Sequence, residues 1–185
     1  VQNRLLTATA IAPPDLVPDA MQLVECETRL AIQPRLAGLK HCNRLEQVLA
    51  RIELQGTGFN EGLMLDLHGN VIEATQGNIF LLQNDCWITP PMNEAGVAGV
   101  MREYILREVL PGLGIECRLE SVALAQVQAC QAMMVCNAVQ GIAAVASVTT
   151  LAAQRIEFAP NASLDAIQAK VQNSLRGENQ AGKGN

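Results

Sequence analysis

Apolar and polar residues recur along this chain with two periods, one typical of helices and one typical of strands. Helical spacing of the apolar positions predicts helices at residues 42–55, 100–110, 123–129 and 162–175. Short alternating or continuously apolar runs predict strands at residues 4–12, 22–30, 62–67, 71–74, 78–83, 86–89, 115–121, 132–138 and 142–148. The strands outnumber the helices. We therefore expect a mixed α/β (α+β) domain with a curved, barrel-like β-sheet flanked by helices.

Turn residues separate these segments and set their order. His68-Gly69-Asn70 and Asn84-Asp85 each lie between two apolar runs, which is typical of tight hairpin turns, with positive φ expected at Gly69 or Asn70. The runs at residues 132–138 and 142–148 are almost continuously apolar, which indicates strands buried on both faces. The polar segment at residues 177–185 is expected to form a disordered tail.

Composition narrows the class of protein. Of the 185 residues, 49% are hydrophobic and 17% are charged, as in folded globular proteins. The net charge is -5 and the sequence has no basic patch, which argues against a nucleic-acid partner. The chain contains no apolar run long enough to span a bilayer, and the first residues do not resemble a signal peptide. We therefore expect no membrane partner.

The cysteine and histidine pattern argues against disulfides and metal. The six cysteines are scattered and form no CxxC pair, so we expect reduced thiols in a cytoplasmic protein. The only histidines, His41 and His68, lack the close spacing to other ligands that zinc sites show. We therefore expect no metal.

Lys40 is the first candidate for chemistry. It follows a short apolar segment and precedes the amphipathic helix predicted at residues 42–55. The positive end of a helix, together with apolar neighbours, favours a neutral amine over an ammonium group. A neutral lysine amine is what Schiff-base chemistry requires. The commoner alternative is a solvated surface lysine.

Three further segments carry candidate groups, each with an ordinary structural alternative. Glu73 lies inside an otherwise apolar hairpin, although a strand glutamate usually faces water. Residues 96–102 form a glycine-bracketed turn into a helix, where free N–H groups can bind an anion or simply begin a helix. Within it, Arg102 opposes the helix dipole and so favours an anionic partner, unless it is solvated. Asn137 ends a buried strand and could instead cap a loop.

Taken together, these segments resemble the fold-type IV pyridoxal-phosphate enzymes. Within that class the chain is most similar to the aminodeoxychorismate lyases, from about residue 4 to about residue 170. The second segment is shared with the branched-chain and D-amino-acid aminotransferases. The resemblance is carried, in order, by residues 36–47 (LAGLKHCNRLEQ), 73–80 (EATQGNIF), 96–102 (GVAGVMR) and 136–138 (CNA).

The resemblance implies a site for pyridoxal 5'-phosphate. Lys40 would bind the cofactor covalently and later move protons. Glu73 would face the pyridine nitrogen and keep it protonated. The backbone N–H groups that follow Gly99, on Val100 and Met101, would bind the phosphate.

Other residues are assigned to the substrate side by the same resemblance. Asn137 lies where the aminotransferases usually carry a phosphate-binding threonine, and its amide can donate to the phosphate or to a substrate carboxylate. That difference favours a lyase over a transaminase. Asn78 and Arg102 are expected to contact the substrate.

The implied activity is a pyridoxal-phosphate-dependent carbon–oxygen lyase of folate biosynthesis, acting as a homodimer. It would convert 4-amino-4-deoxychorismate to 4-aminobenzoate and pyruvate. The first alternative is a fold-type IV aminotransferase acting on branched-chain or D-amino acids. The second is a catalytically silent, truncated domain that acts in binding or dimerisation.

The expected domain organisation is a large cofactor-binding domain at residues 1–176, followed by the tail. Members of the family carry a smaller N-terminal domain, to which nothing in this sequence corresponds. That domain would supply an arginine for the cofactor phosphate and much of the substrate pocket.

Overall fold

The computed structural model describes residues 18–181, with side chains described as far as residue 174. The strand predicted at residues 4–12 and the last four residues of the predicted tail lie outside the described residues. The elements in chain order are β1 (Met21–Glu25), α1 (Leu45–Glu53), β2 (Glu61–Leu65), β3 (Asn70–Ala74), β4 (Asn78–Gln83), β5 (Cys86–Thr89), α2 (Val100–Tyr104), β6 (Cys117–Leu119), β7 (Val122–Ala123), α3 (Leu124–Ala129), β8 (Ala132–Asn137), β9 (Gly141–Thr149), β10 (Arg155–Glu157) and α4 (Ala162–Ala181).

Six strands close into a barrel in the order β4-β8-β9-β1-β2-β3, with β3 pairing back to β4. Strand β1 is parallel to both of its neighbours, β9 and β2, whereas the other barrel pairs are antiparallel. Strands β5 and β6 extend the sheet beyond β4, while β7 and β10 pair with β3 and β9. The barrel and its flanking helices confirm the predicted mixed α/β architecture.

Apolar residues cover both faces of the central strands. One buried cluster draws on all six barrel strands and therefore fills the barrel interior; its members include Leu23, Leu63, Val71, Ile79, Met133 and Val145. A second cluster includes Phe80, which alternates with Ile79 on β4 and so faces outward, against Ile105 and Ile167. Burial on both faces explains why β4 and β8 are almost continuously apolar.

Several element boundaries differ from the sequence prediction. Helix α1 begins at Leu45 instead of residue 42, and β1 ends at Glu25 instead of residue 30. The predicted helix at residues 100–110 consists of α2 and a π-helical turn, Ile105–Val109. Helix α4 continues to Ala181, into the predicted tail, since a single glycine in a helix costs only about 1 kcal/mol relative to alanine.

The two predicted hairpin turns are confirmed. Gly69 has φ +83°. Asn84 and Asp85 have φ +48° and +61°, the left-handed pair that a two-residue hairpin turn between β4 and β5 needs.

No helix within residues 18–181 is long and apolar enough to cross a membrane. In the same part of the chain, the histidine, cysteine and acidic side chains form no group of three or more that could hold a metal ion. All six cysteines are free thiols. Burial raises the pKa of the Cys26, Cys117, Cys130 and Cys136 thiols to about 12, which makes them poor nucleophiles.

Candidate active site

A cavity of about 960 Å³ lies between α1, the β3–β4 turn, the start of α2 and the β8–β9 turn. Its volume is at the upper end of the range typical of small-molecule and cofactor sites. Seven of the eight predicted site residues line it: Lys40, Glu73, Asn78, Gly99, Val100, Met101 and Asn137. Segments up to about 100 residues apart in the chain therefore meet at one cavity.

Lys40 follows a turn and a short segment that is anchored two residues earlier. The Gly38 N–H donates to the Gly96 carbonyl at 3.0 Å, and the Ala98 N–H donates to the Gly38 carbonyl at 3.1 Å. Gly38 has φ +77°, and a Cβ there would lie 3.1 Å from the Met92 carbonyl oxygen, so the position favours glycine. The backbone before Lys40 is thus fixed.

The Lys40 side chain itself is exposed and has no hydrogen-bond or ion-pair partner among the described residues. The positive end of α1 is farther from it than the sequence predicted, since the helix begins at Leu45. The influence of a helix dipole falls off within its first turn. Lys40 is therefore an amine at the cavity without a partner among the described residues.

Glu73 is held at the cavity in the opposite way, by three donors. It is 2% exposed. Its Oε2 accepts from the Val97 N–H at 2.8 Å, and its Oε1 accepts from Gln47 Nε2 at 3.2 Å and from Arg44 Nη2 at 3.4 Å. The alternative that Glu73 faces water is therefore wrong.

Burial raises the pKa of the Glu73 carboxyl, while Arg44 and the hydrogen bonds from Val97 and Gln47 oppose that shift. The donors offset part of the cost of burying the charge. A carboxylate held in this way can form a charge-assisted hydrogen bond with a protonated ring nitrogen in the cavity.

Gln47 supports Glu73 and was not predicted from the sequence. Its side chain is buried, and its Oε1 has no hydrogen-bond partner in the part of the chain that the structure describes. Turning the amide around would place that oxygen against the Glu73 carboxylate, so the contact with Glu73 determines its orientation. The hydrogen bond from Gln47 to the carboxylate offsets the cost of one unsatisfied buried acceptor.

Asn78 fixes the loop before α2. Its Nδ2 donates to the Val97 carbonyl at 2.7 Å, and its Oδ1 accepts from the Gly99 N–H at 3.1 Å. A Cβ at position 99 would collide with Asn78 Oδ1, so glycine is required there. Both polar groups of Asn78 are occupied by the loop, although the residue also lines the cavity as predicted.

The first turn of α2 presents backbone donors to the cavity. The first N–H groups of a helix, here those of Val100 and Met101, have no intrahelical acceptor. The intrahelical bonds begin with Glu103 N–H to the Gly99 carbonyl, at 3.0 Å. Since the Gly99 N–H is engaged by Asn78, the free amides at cavity-lining residues are those of Val100 and Met101.

Arg102 is the predicted site residue that the structure places away from the cavity. It is 4% exposed; its Nη2 donates to the Pro90 carbonyl at 2.9 Å and its Nε to Thr89 Oγ1 at 3.3 Å. Burial lowers the pKa of its guanidinium. This placement does not support the predicted substrate contact or an anionic partner. Arg102 instead attaches α2 to the end of β5.

Asn137 caps the β8–β9 turn, as the structural alternative predicted. Its Oδ1 accepts from the Val139 and Gln140 N–H groups at 2.9 and 2.7 Å. Its Nδ2 donates to the Gln76 carbonyl at 3.2 Å and so ties two turns together at the cavity. A ligand that uses this amide must displace one of these contacts.

Helix α1 and its N-cap residue hold the cavity-lining residues that were not predicted from the sequence, chiefly Gln47 and Arg51 on the helix and Arg44 at the cap. An apolar stripe usually faces the core, but α1 turns Gln47 and Ala50 inward. Its apolar stripe is 46–65% exposed; the members are Leu45, Val48, Leu49 and Ile52. The available signal was the polar set at helical spacing just after Lys40.

Comparison with known proteins agrees with this geometry. The profile of the aminotransferase class IV family matches residues 2–148. The aminodeoxychorismate lyase of Vibrio harveyi is 37% identical over 157 residues, which is 85% of this chain and 54% of that protein.

Solved structures give the same result. The crystal structure of 4-amino-4-deoxychorismate lyase from Pseudomonas aeruginosa superposes with a TM-score of 0.78 at 36% identity, over 84% of this chain and 56% of that one. An aminotransferase from Brucella abortus, bound to the cofactor PLP, shares the fold with a TM-score of 0.74 at 15% identity, over 89% of this chain and 57% of that one. The chain spans about half the length of the lyases that it matches.

Proposed function

We propose, from the premise that this chain belongs to the aminotransferase class IV family, that it forms the cofactor-binding part of an aminodeoxychorismate lyase. The reaction would convert 4-amino-4-deoxychorismate to 4-aminobenzoate and pyruvate in folate biosynthesis. The observation that carries the proposal is the cavity that joins Lys40, Glu73 and the first turn of α2. The similarity to two lyases at 36–37% identity favours this activity within the family.

The residues at the cavity fit pyridoxal phosphate. The cofactor needs an amine for its aldehyde, an acid for its ring nitrogen and donors for its phosphate, and the cavity supplies Lys40, Glu73 and the amides of Val100 and Met101. When bound, it would supply an electron sink for the negative charge left on a substrate carbon after proton loss. The supporting observation is the chemistry of this donor set.

Lys40 has the properties required of a group that first binds the cofactor and later moves a proton. Its backbone is fixed through Gly38, whereas its side chain has no partner to give up. Once the substrate amine displaces it, the Lys40 amine would accept the proton from the amine-bearing carbon of the substrate. The C–O bond to the enolpyruvyl group would then break as the ring becomes aromatic, and the released enolpyruvate would take up a proton to become pyruvate.

Glu73 would orient the cofactor ring and match the charge of its nitrogen. Arg44, Gln47 and the Val97 amide hold the carboxylate in one position, so it needs no reorganisation during the reaction. Asn78 would act indirectly, by fixing the loop that leads to the phosphate donors.

The testing experiment is to incubate the chain with pyridoxal phosphate, reduce it with borohydride, and map the modified peptide by mass spectrometry. We expect modification at Lys40, and release of 4-aminobenzoate from 4-amino-4-deoxychorismate. Lys40→Ala should abolish the adduct. Lys170→Ala, at an exposed lysine of α4 away from the cavity, is the matched control. Modification elsewhere would contradict the proposal.

An aminotransferase is the second candidate function, favoured by the family to which the chain belongs. It would transfer an amino group from a branched-chain or D-amino acid to the cofactor in the absence of chorismate derivatives. Loss of the cofactor's aldehyde absorbance on addition of such an amino acid would support it. Absence of any adduct would instead support the silent binding domain.

We further propose a homodimer in the cytoplasm. The support for the dimer is the exposed apolar pair Leu45 and Leu49 on α1, which does not line the cavity, since exposed contiguous apolar surface commonly marks an interface. The support for the location is the set of six free thiols, which suits a reducing compartment. Sedimentation equilibrium of the chain and of Leu49→Lys tests the dimer, because a charge at the stripe should shift the population toward monomer.

A further inference from the structure

One face of α1 runs along the cavity. Arg44, Gln47, Val48, Arg51 and Ile52 all line it, at the spacing i, i+3, i+4, i+7 and i+8 of a single helical face. With a rise of 1.5 Å per residue, the Arg51 backbone lies about 10 Å farther along the helix than that of Arg44. The cavity therefore has a second guanidinium, well separated from the one that contacts Glu73.

The charges that line the cavity do not balance. They are Lys40, Arg44, Arg51 and Glu73. Arg44 is paired with the single carboxylate among them, Glu73, at 3.4 Å. Among the described residues, Arg51 has no cavity-lining carboxylate as a partner, and its ion pair with Glu61 at 3.8 Å leaves it able to attract an anionic ligand in the cavity.

Arg51 forms an ion pair with Glu61, which leaves most of its guanidinium donors free. Glu61 Oε1 is 3.8 Å from Arg51 Nη1, which is too long for a hydrogen bond. Glu61 is buried and already accepts from the Gly62 N–H at 2.8 Å, from the Thr75 N–H at 3.1 Å and from the Thr75 hydroxyl. All three bonds reach Oε1, so that oxygen is engaged within its own hairpin.

Arg51 keeps most of its donors. Its Nη1 makes one weak contact with the Asn60 carbonyl at 3.4 Å, whereas Nε and Nη2 have no partner among the described residues. The side chain is 42% exposed. A guanidinium with two free nitrogens can bind a carboxylate through two parallel hydrogen bonds.

We infer that Arg51 is a specificity-determining residue that binds the substrate carboxylate remote from the reacting amine. The identity of the ligand rests on the proposed function. In 4-amino-4-deoxychorismate and in 4-aminobenzoate the ring carboxylate lies across the ring from the amine. Val48 and Ile52, which line the cavity on either side of Arg51 in the sequence, provide the apolar contact for such a ring.

The experiment compares an acid with its neutral isostere. The affinities of 4-aminobenzoate and 4-aminobenzamide are measured by calorimetry on the full chain loaded with pyridoxal phosphate, for the unaltered protein, Arg51→Gln and Arg51→Lys. Arg51→Gln should weaken binding of the acid by about ten- to a hundred-fold, the range for a charged hydrogen-bonding partner, and leave the amide unchanged. Arg51→Lys should recover part of the loss.

Arg155→Gln is the matched control, because Arg155 is exposed, pairs with Glu157 on β10 and does not line the cavity. It should bind both ligands like the unaltered chain. Equal loss of acid and amide in Arg51→Gln would indicate a structural role and overturn the inference. So would an unchanged affinity for the acid, or an unaltered protein that does not prefer the acid.

Ligand binding tests the role of Arg51, and product release tests the lyase activity, so the two can be rejected independently. Binding of the acid that depends on Arg51, without release of 4-aminobenzoate from 4-amino-4-deoxychorismate, would retain the subsite and reject the lyase. Release of 4-aminobenzoate that is unaffected by Arg51→Gln at low substrate concentration would retain the lyase and reject the subsite.

Discussion

Lys40 and Glu73 line the same cavity but are held in opposite ways. Glu73 is buried and receives three hydrogen bonds from Arg44, Gln47 and Val97, whereas the Lys40 side chain is exposed and has no partner among the described residues. The difference matches what each group is proposed to do. A carboxylate that orients a cofactor ring acts best when it is fixed. An amine that binds the cofactor, is displaced from it and then accepts a proton must be able to move.

Lys40 and Glu73 should also differ in how much each contributes to the free energy of unfolding. Removing an exposed side chain without partners should change the free energy of unfolding by less than about 0.5 kcal/mol. Changing a buried carboxylate disturbs the donors around it as well. Substitutions at the two residues should therefore give different combinations of activity loss and stability change.

The largest effect is expected for Lys40→Ala. Turnover of 4-amino-4-deoxychorismate should fall to background, because the group that binds the cofactor and accepts the proton is removed. The urea midpoint should stay where it is, since the side chain has no partner. The measurements are 4-aminobenzoate release and urea unfolding. A normal rate would contradict the catalytic role of Lys40, and a large loss of stability would contradict its lack of a partner.

Glu73→Gln keeps the volume and removes the charge. Modification of Lys40 should persist, while the rate of 4-aminobenzoate release falls about 10²- to 10³-fold, the usual effect of removing one electrostatic partner. Borohydride trapping and the rate of release measure the two properties separately. If the rate were unchanged, Glu73 would have only a structural role.

A smaller effect is expected for Gln47→Leu. The change removes one donor to Glu73 but also the unpartnered Oε1, so stability should change little while the pKa of the Glu73 carboxyl rises further. Carboxyl ¹³C chemical shifts followed through a pH titration measure that pKa. Gln55→Leu, at another cavity-lining glutamine for which no contact with Glu73 is found, should leave it unchanged.

The smallest effect is expected in the pH dependence of stability. Because burial raises the pKa of Glu73 above its ordinary value of 4.5, the folded protein binds this proton more tightly than the unfolded chain. The contribution of Glu73 is therefore full below pH 4.5 and is lost as pH rises through the folded-state pKa. Urea unfolding across this window measures the free energy of unfolding. As pH rises, this free energy should fall less steeply in Glu73→Gln than in the unaltered protein.

Much of the barrel could be predicted because its signals are local. The bounds of β4 and β5 were predicted to the residue, since an apolar run, the turn Asn84-Asp85 and a second run follow one another directly. Strands β7 and β10 have two and three residues, too few for any period to show. Their pairing depends on neighbours elsewhere in the fold.

The site was predicted less evenly. Lys40, Glu73 and Gly99 line the cavity; local patterns marked them as candidates, and the resemblance proposed their roles. The orientation of α1 was not found, because tertiary contacts with Glu73 turn Arg44 and Gln47 inward against the apolar pattern. Arg102 lies away from the cavity because Thr89 and Pro90 supply buried acceptors, which an argument from the helix dipole leaves out.

The parallel pairing of β1 with β9 has a consequence for how the chain acquires its structure. Met21 pairs with Val145, and Glu25 Oε2 accepts from the Leu151 N–H, across 126 residues of sequence. One edge of β1 therefore has no partner until nearly the whole domain has been synthesised. Contacts so distant in sequence slow the formation of a fold, and an unpaired edge invites association with other chains in the meantime. Ribosome-bound chains that end before β9 should therefore be the ones that depend most on chaperones.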